Sequence, residues 1–171
     1  MDPATYSARE HLRDGRPVEI RALRPDDEAD MLAAIDRTGT ESLQRRFFAT
    51  KRHFSEKEKA FFMNVDFVNH VALVAEVCES GKPVIVAGGR YVVSSGAAEV
   101  AFVVVDTYQG QGIGSILARH LIGVARAAGQ TQLVADVLPE NKAMRSVLGK
   151  LGFQMSRSAD PQVVRLTLSL A

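Results

Sequence analysis

The stretch Val100-Ala101-Phe102-Val103-Val104-Val105 constrains the fold most, because it runs into a glycine-rich turn that opens onto a helix. An unbroken apolar run of this length reads as a buried strand. Gly110, Gly112 and Gly114 follow at alternate positions. Ile113, Ile116, Leu117, Leu121, Val124, Ala125 and Ala128 then fall on one face of a 3.6-residue period, which Gly129 stops. Glycines so close together carry an entropic cost. They also let successive backbone N–H groups point one way with no Cβ between them. The helix start adds the positive end of its dipole, so the turn suits an anion such as phosphate. The alternative is a glycine-rich helix entry that binds nothing. The spacing is not the dinucleotide fingerprint, because the third glycine comes one residue early for G-x-G-x-x-G. No Gly-Lys-Ser/Thr follows, so it is not a P-loop either.

The rest of the chain reads as one domain over residues 17–171, after a polar arm at 1–16 expected to be irregular. Val18 to Leu23 alternates as a half-buried strand. Pro25 and the carboxylates Asp26, Asp27 and Glu28 start a helix running to about Arg37, with the carboxylates at its positive end. A short helix is expected over Glu41 to Phe48. Another opens at Ser55, where Ser55 and Glu58 form a capping box. Val71 to Cys78, Val84 to Val93 and Ala97 to Val105 are three strands of an antiparallel meander, joined by turns at 79–83 and 94–96. Gly88-Gly89 marks a bulge or a close approach. After the long helix come a strand at Leu133 to Val137, a helix carrying Met144, Val147, Leu148 and Leu151, and a last strand in Val163 to Leu170. Strand–helix–strand here implies a parallel crossover. The expected architecture is a mixed α/β domain.

Composition narrows the function. Lys and Arg total 21 against 20 Asp and Glu, a net +1, which argues against a protein built to grip nucleic acid. The near-neutral total is a cancellation. Positive surplus falls on residues 37–60 and 107–154, and negative surplus on 1–36 and 61–106. A single cysteine, Cys78, excludes a disulfide framework and a cysteine-built zinc site. No apolar run approaches the ~20 residues of a membrane helix, and no signal peptide is visible, so the default expectation is cytoplasmic.

Gln109-Gly110-Gln111-Gly112-Ile113-Gly114 after an apolar strand resembles the Q/R-x-x-G-x-G/A signature of the GNAT superfamily of N-acetyltransferases. Asn141-Lys142-Ala143-Met144 and Lys150-Leu151-Gly152-Phe153 resemble its second landmark. Leu23-Arg24-Pro25-Asp26-Asp27-Glu28, Ser42-Leu43-Gln44-Arg45-Arg46-Phe47-Phe48 and Val71-Ala72-Leu73-Val74-Ala75-Glu76 are similar to the acetyltransferase domain of bacterial Pat-type protein lysine acetyltransferases. The resemblance implies a GNAT fold. That is a mixed, mostly antiparallel sheet of six or seven strands flanked by four or five helices, with its fourth and fifth strands parallel and splayed. It implies acetyl-CoA as co-substrate and a primary amine as acceptor, a protein lysine in Pat-type enzymes. Backbone groups of Phe102, Val103 and Val104 would pair with the pantetheine arm. Gln109, Gly110, Gln111, Gly112, Ile113, Gly114 and Ser115 form the signature loop, and N–H groups of Gly110 to Ser115 would hold the pyrophosphate. Asn141 would bond the cofactor near its pantetheine end. The alternatives are an enzyme acting on a small amine or antibiotic, and a CoA-binding module without turnover. A monomer or a homodimer fits equally.

Acyl transfer to an amine needs a base, because a lysine with pKa ~10.4 is almost wholly protonated at neutral pH. Glu99 is the candidate, as the only charged residue between Arg90 and Asp106. Apolar neighbours would tune its carboxyl, and Pat-type enzymes carry a glutamate at the matching strand position. An outward-facing strand glutamate is the plain alternative. Asp136 is the second candidate, against a reading as a cap for the next helix. Many GNAT enzymes place a tyrosine four residues before the glycine of the L-G-F landmark as a general acid; here that position is Leu148. Tyr108 is expected to pack rather than donate.

His11, His53, His70 and His120 share no metal-ligand spacing, so no metal is expected. His70 reads as a surface histidine near the acceptor side. Cys78 reads as a small buried hydrophobe. Arg45-Arg46 and Phe47-Phe48 are a candidate acceptor entrance.

Overall fold

The computed structural model describes residues 2–36, 55–157 and 160–171. Eight strands form one sheet in the order β1-β2-β3-β4-β5-β6-β8-β7. They are β1 (Ser7–His11), β2 (Pro17–Ala22), β3 (His70–Glu79), β4 (Lys82–Ser94), β5 (Ala97–Val104), β6 (Gln132–Val137), β7 (Gln154–Ser156) and β8 (Val164–Ser169). Among the described residues four α-helices accompany it: α1 (Glu28–Asp36), α2 (Glu56–Met63), α3 (Ile113–Ala127) and α4 (Lys142–Lys150). Among the described residues only β5 and β6 pair in parallel, so the mixed, mostly antiparallel GNAT architecture is what the chain adopts. The expected helix at Glu41–Phe48 lies outside the described residues.

The sheet has eight strands, not six or seven, because both edges carry strands without a hydrophobic signal. The arm at 1–16 is not irregular. Its residues 7–11 are β1, antiparallel to β2 from Ser7↔Arg21 to His11↔Pro17. Backbone pairing holds it, with Tyr6 hydrogen-bonded to His120 Nδ1 of α3 and Leu12 4% exposed in the core. At the other edge β7 is exposed throughout and pairs with β8 by its backbone alone.

The meander β3–β4–β5 is joined by matching two-residue turns. Ser80-Gly81 and Ser95-Gly96 both have φ near +50° and +80°, the positive-φ pair whose twist matches that of the flanking strands. Register slips once, opposite Ala75/Glu76, where Val86 is the extra residue on β4. The bulge is therefore not at Gly88-Gly89. Gly89 instead allows a close approach: a Cβ there would meet the Phe102 ring at 2.8 Å.

The amphipathic helix α3 lies on one face of the sheet, with Ile113, Leu117, Leu121 and Ala125 essentially inaccessible. α1 and α2 belong to the opposite face, where Met31 of α1 reaches Gly88. The Ser55/Glu58 capping box opens α2 as expected. At the start of α1, Asp27 does more than meet a dipole. It is buried and takes two bonds from Arg21, at 2.8 and 3.0 Å, while Arg21 also reaches Glu76 of β3 at 2.8 Å. Burial pushes the Asp27 carboxyl up, but the Arg21 and Arg24 donors outweigh it and hold it below the usual carboxylate range. Cys78, expected to be buried, is exposed.

Candidate active site

The parallel pair β5–β6 is joined at only two positions, Ala98↔Leu133 and Glu99↔Val134. Beyond Glu99 the strands part, and a cleft of about 310 Å³ opens between them. Paired residues of neighbouring antiparallel strands share a face. Gly88, Arg90, Ala101 and Val103 thus lie on the α1 face, while Gly89 and Phe102 lie toward Leu121 of α3. Residues of both faces line the cleft, so it cuts through the sheet.

At one end sits the glycine loop. Gly112 is the N-cap of α3 at φ +87°, with no side chain capping the helix, and L side chains rarely adopt that conformation. The first N–H groups of α3, at Ile113, Gly114 and Ser115, border the cleft without a capping side chain. A Cβ on Gly110 or Gly114 would meet nothing within 4 Å. Packing within the protein therefore does not require glycine at position 114. An extended amide-bearing arm in the split, ending in a pyrophosphate at the loop, fits this shape.

Every residue expected to hold the cofactor lines the cleft except Gln111, whose carbonyl instead accepts from the Arg13 backbone N–H at 3.2 Å. The Gln109 side chain closes the end of the split, donating to the Val104 carbonyl and to Asp106, both at 3.2 Å. Phe102 and Val103 are therefore the clearer part of the open edge. Asn141 caps α4, its Oδ1 accepting from Met144 N–H at 3.2 Å, which leaves its amide as a donor.

The two candidate bases sit differently. Glu99 is exposed and carries no hydrogen bond or ion pair among the described residues, so the apolar enclosure expected around it is not found there. It lines the cleft and shares a sheet row with Val92 and His70. Asp136 also lines the cleft, but Arg165 grips it in a fork, Nε–Oδ1 2.8 Å and Nη2–Oδ2 2.9 Å. The two are directly opposed on β6 and β8. Asp136 is thus neither a free base nor the cap of α4; that cap is Asn141.

No side-chain acid stands where the family's tyrosine would be. Leu148 is fully buried and closes the cleft floor. Tyr108 packs, as expected, at 4% exposure. Its hydroxyl donates to Glu79 at 2.6 Å and accepts from Arg16 at 3.3 Å. Burial first, then the Glu79 bond, raises its pKa above the usual phenol value.

A second cavity, about 50 Å³, opens on the α1–α2 side between Met31, Phe62, Met63 and Arg90. It shares Ala101, Phe102 and Val103 with the cleft, so the two cavities meet at one stretch of β5. Beside it stands His70, buried at 6% exposure rather than on the surface. Arg90 Nη1 donates to its Nε2 at 2.9 Å and to the Phe62 carbonyl at 3.0 Å. Burial, then the Arg90 charge, draws the His70 pKa down to about 4 against an opposing pull from Asp66. His70 is therefore neutral near pH 7, with its proton on Nδ1. Arg45 to Phe48 and His53 lie outside the described residues. No cluster of metal-ligating side chains occurs among the described residues, and no helix there is long and apolar enough to cross a membrane.

Sequence reasoning missed Arg13, which lines the cleft from the β1–β2 turn. It also missed the Arg90–His70 pair, whose members lie far apart in sequence.

Known proteins with this arrangement are consistent with one another. The acetyltransferase PA5475 of Pseudomonas aeruginosa is 35% identical over 88% of this chain and 82% of its own length. Acetyltransferase Pat of Mycolicibacterium smegmatis is 33% identical over 82% of this chain but only 42% of its own length, so the chain spans less than half of that relative. The solved GNAT domain of S. lividans PAT superposes with a TM-score of 0.87 at 34% identity, covering 95% of this chain and 96% of that domain. The profile of the acetyltransferase (GNAT) family spans residues 13–153, from the arginine at the glycine loop to Phe153 after α4. A split parallel pair, a bare glycine loop and this likeness have one reading: the chain belongs to the GNAT acetyltransferase family.

Proposed function

We propose that the protein transfers the acetyl group of acetyl-CoA directly to a primary amine, and that the acceptor is a lysine side chain of another protein. The observation that carries this is the meeting of the two cavities at Ala101–Val103. A donor arm lying in the split and an acceptor arm entering from the α1–α2 side would reach the same strand from opposite sides. Both substrates are then held together, which favours direct attack. The lysine acceptor rests on the likeness to Pat domains.

When bound, acetyl-CoA supplies an acetyl thioester whose thiol, near pKa ~8.5 for an ordinary thiol, leaves without obligatory protonation. That suits a site where Leu148 offers no proton and Tyr108 gives its own to Glu79. The free backbone edge at Phe102 and Val103 aligns the arm as an added strand would. The glycine loop holds the phosphates. Glu99 takes the proton from the amine, directly or through water. It suits the role better than Asp136 because no hydrogen bond or ion pair holds its carboxylate among the described residues, only the more distant charge of Arg165, whereas two Arg165 donors occupy Asp136.

Incubating the protein with labelled acetyl-CoA and a cell extract tests this reading. Label is expected in the protein fraction, on lysine Nε after digestion. Label confined to small molecules would overturn the protein acceptor. Binding of acetyl-CoA with no transfer to any amine would overturn the enzyme reading.

A further inference from the structure

The N-terminal turn between β1 and β2 touches the glycine loop through Arg13, and the Tyr108 side chain just before that loop through Arg16. Arg13 N–H donates to the Gln111 carbonyl at 3.2 Å, and Arg13 Nη1 to the Gly110 carbonyl at 3.1 Å. Arg16 donates to the Tyr108 hydroxyl at 3.3 Å and lies 5.0 Å from its ring centre. The turn is itself firm. Leu12 N–H reaches the Arg16 carbonyl and Gly15 N–H the Leu12 carbonyl, both at 2.9 Å, while Leu12 is buried. It places the Arg13 guanidinium at the cleft wall, with Nε 3.6 Å from where a Gly112 Cβ would be.

The two arginines differ. Arg16 is committed to Asp14 and Tyr108. Arg13 has five N–H donors, of which one is bonded to the Gly110 carbonyl. The nearest carboxylate in sequence, Asp14, is taken by Arg16 at 2.8 Å. An exposed cation thus stands beside a row of backbone donors, and no salt bridge neutralises it among the described residues.

We propose that Arg13 is a cofactor-binding residue, holding the pyrophosphate of CoA together with the glycine loop. This rests on the acetyl-CoA reading above. A planar guanidinium suits two phosphate oxygens, which the backbone N–H groups of a helix start meet singly. The Gly110 bond holds the guanidinium over the loop in advance of the ligand. The β1–β2 turn is then a wall of the cofactor site rather than a decoration on the sheet edge.

The test is calorimetric binding of three probes to the full chain and to Arg13→Gln. The probes are CoA, 3′-dephospho-CoA, which keeps the pyrophosphate, and pantetheine, which has no phosphate. Charge-assisted bonds of this kind translate to roughly ten- to a hundred-fold in affinity. Arg13→Gln is expected to weaken CoA and 3′-dephospho-CoA by about that factor and leave pantetheine unchanged. Equal weakening of all three means that Arg13 only braces the loop, and overturns the proposal. Loss with CoA alone assigns Arg13 to the 3′-phosphate and overturns the pyrophosphate assignment. No loss with any probe overturns it outright. Failure of the parent protein to bind CoA sinks the cofactor reading instead, and is distinguishable from these. The backbone bond to Gln111 survives substitution, so the turn should stay docked. Arg13→Lys, which keeps charge without the fork, serves if Arg13→Gln melts early, and should show a smaller loss with the same probe pattern.

Discussion

The two cavities that meet at Ala101–Val103 are made of different material. The cofactor cleft draws its open edge and its anion end from backbone: a split strand edge and a helix start cleared by Gly110, Gly112 and Gly114. The acceptor side is made of side chains from distant segments, Met31, Phe62 and Arg90, with His70 behind Arg90. A backbone site recognises what all acetyl-CoA enzymes share, the amide arm and the phosphates. A side-chain site can change with each substitution, and we propose that acceptor choice resides there. On that proposal one half of the molecule is generic and the other specific.

Substitutions can break that contrast. Glu99→Gln, at the junction, should have the largest effect. Loss of a general base costs about 10²- to 10⁴-fold in kcat, with cofactor affinity unchanged. Asp136→Asn should cost far less, because Asp136 is already bonded to Arg165. Equal losses in kcat from the two would show that the base has been misassigned.

Gly114→Val should come next and act on the generic side alone. A Cβ at this position meets no protein atom within 4 Å, so the cost to the melting temperature should be small. The side chain would occupy space meant for ligand, and acetyl-CoA binding measured by calorimetry should weaken by at least about ten-fold, given how costly overpacking of a close contact is. Unchanged affinity would show that the cofactor does not approach the loop.

A third prediction is on the acceptor side and concerns stability. Unfolded histidine titrates near ~6.5, and folded His70 near about 4. Between these values the unfolded chain binds the extra proton, so stability falls as pH drops from about 6.5 to about 4 and is complete above that window. The shift is on the order of 3 kcal/mol at ~1.4 kcal/mol per unit. His70→Gln should flatten the melting temperature across that window. An equally steep profile in the variant would assign the acid sensitivity elsewhere. The Asp27 carboxyl, held low by Arg21, contributes stability that fades only below about pH 4, and so does not confuse the test.

The legible elements were those with strong periodicity. The glycine loop, the face of α3, the capping box at Ser55 and the meander all lie where the residues pointed. β1 and β7 were not legible, because edge strands that bury little leave no alternation of polarity to read. Of the two readings of Gly88-Gly89 the close approach holds, at Gly89; the bulge lies at Val86, because a β-branched residue inside an apolar run gives no sign that it lacks a partner. Cys78 and His70 exchanged their expected surroundings. Burial of a single residue near a strand end depends on what packs over it, here Phe61 stacked on the His70 ring at 4.9 Å.

By itself the sequence determined the backbone-built half of the site. Glycine spacing, an apolar strand and a helical period are local patterns, and backbone donors need only local geometry to point together. The tertiary structure alone decided which carboxylate is left without a bonded partner, that an arginine from the N-terminal turn lies on the glycine loop, and that burial, with Arg90 beside it, keeps His70 neutral. Those are encounters between residues far apart in the chain, 97 positions for Arg13 and Gly110. Charge pairing and burial are properties of the packed assembly, which no single stretch of chain encodes.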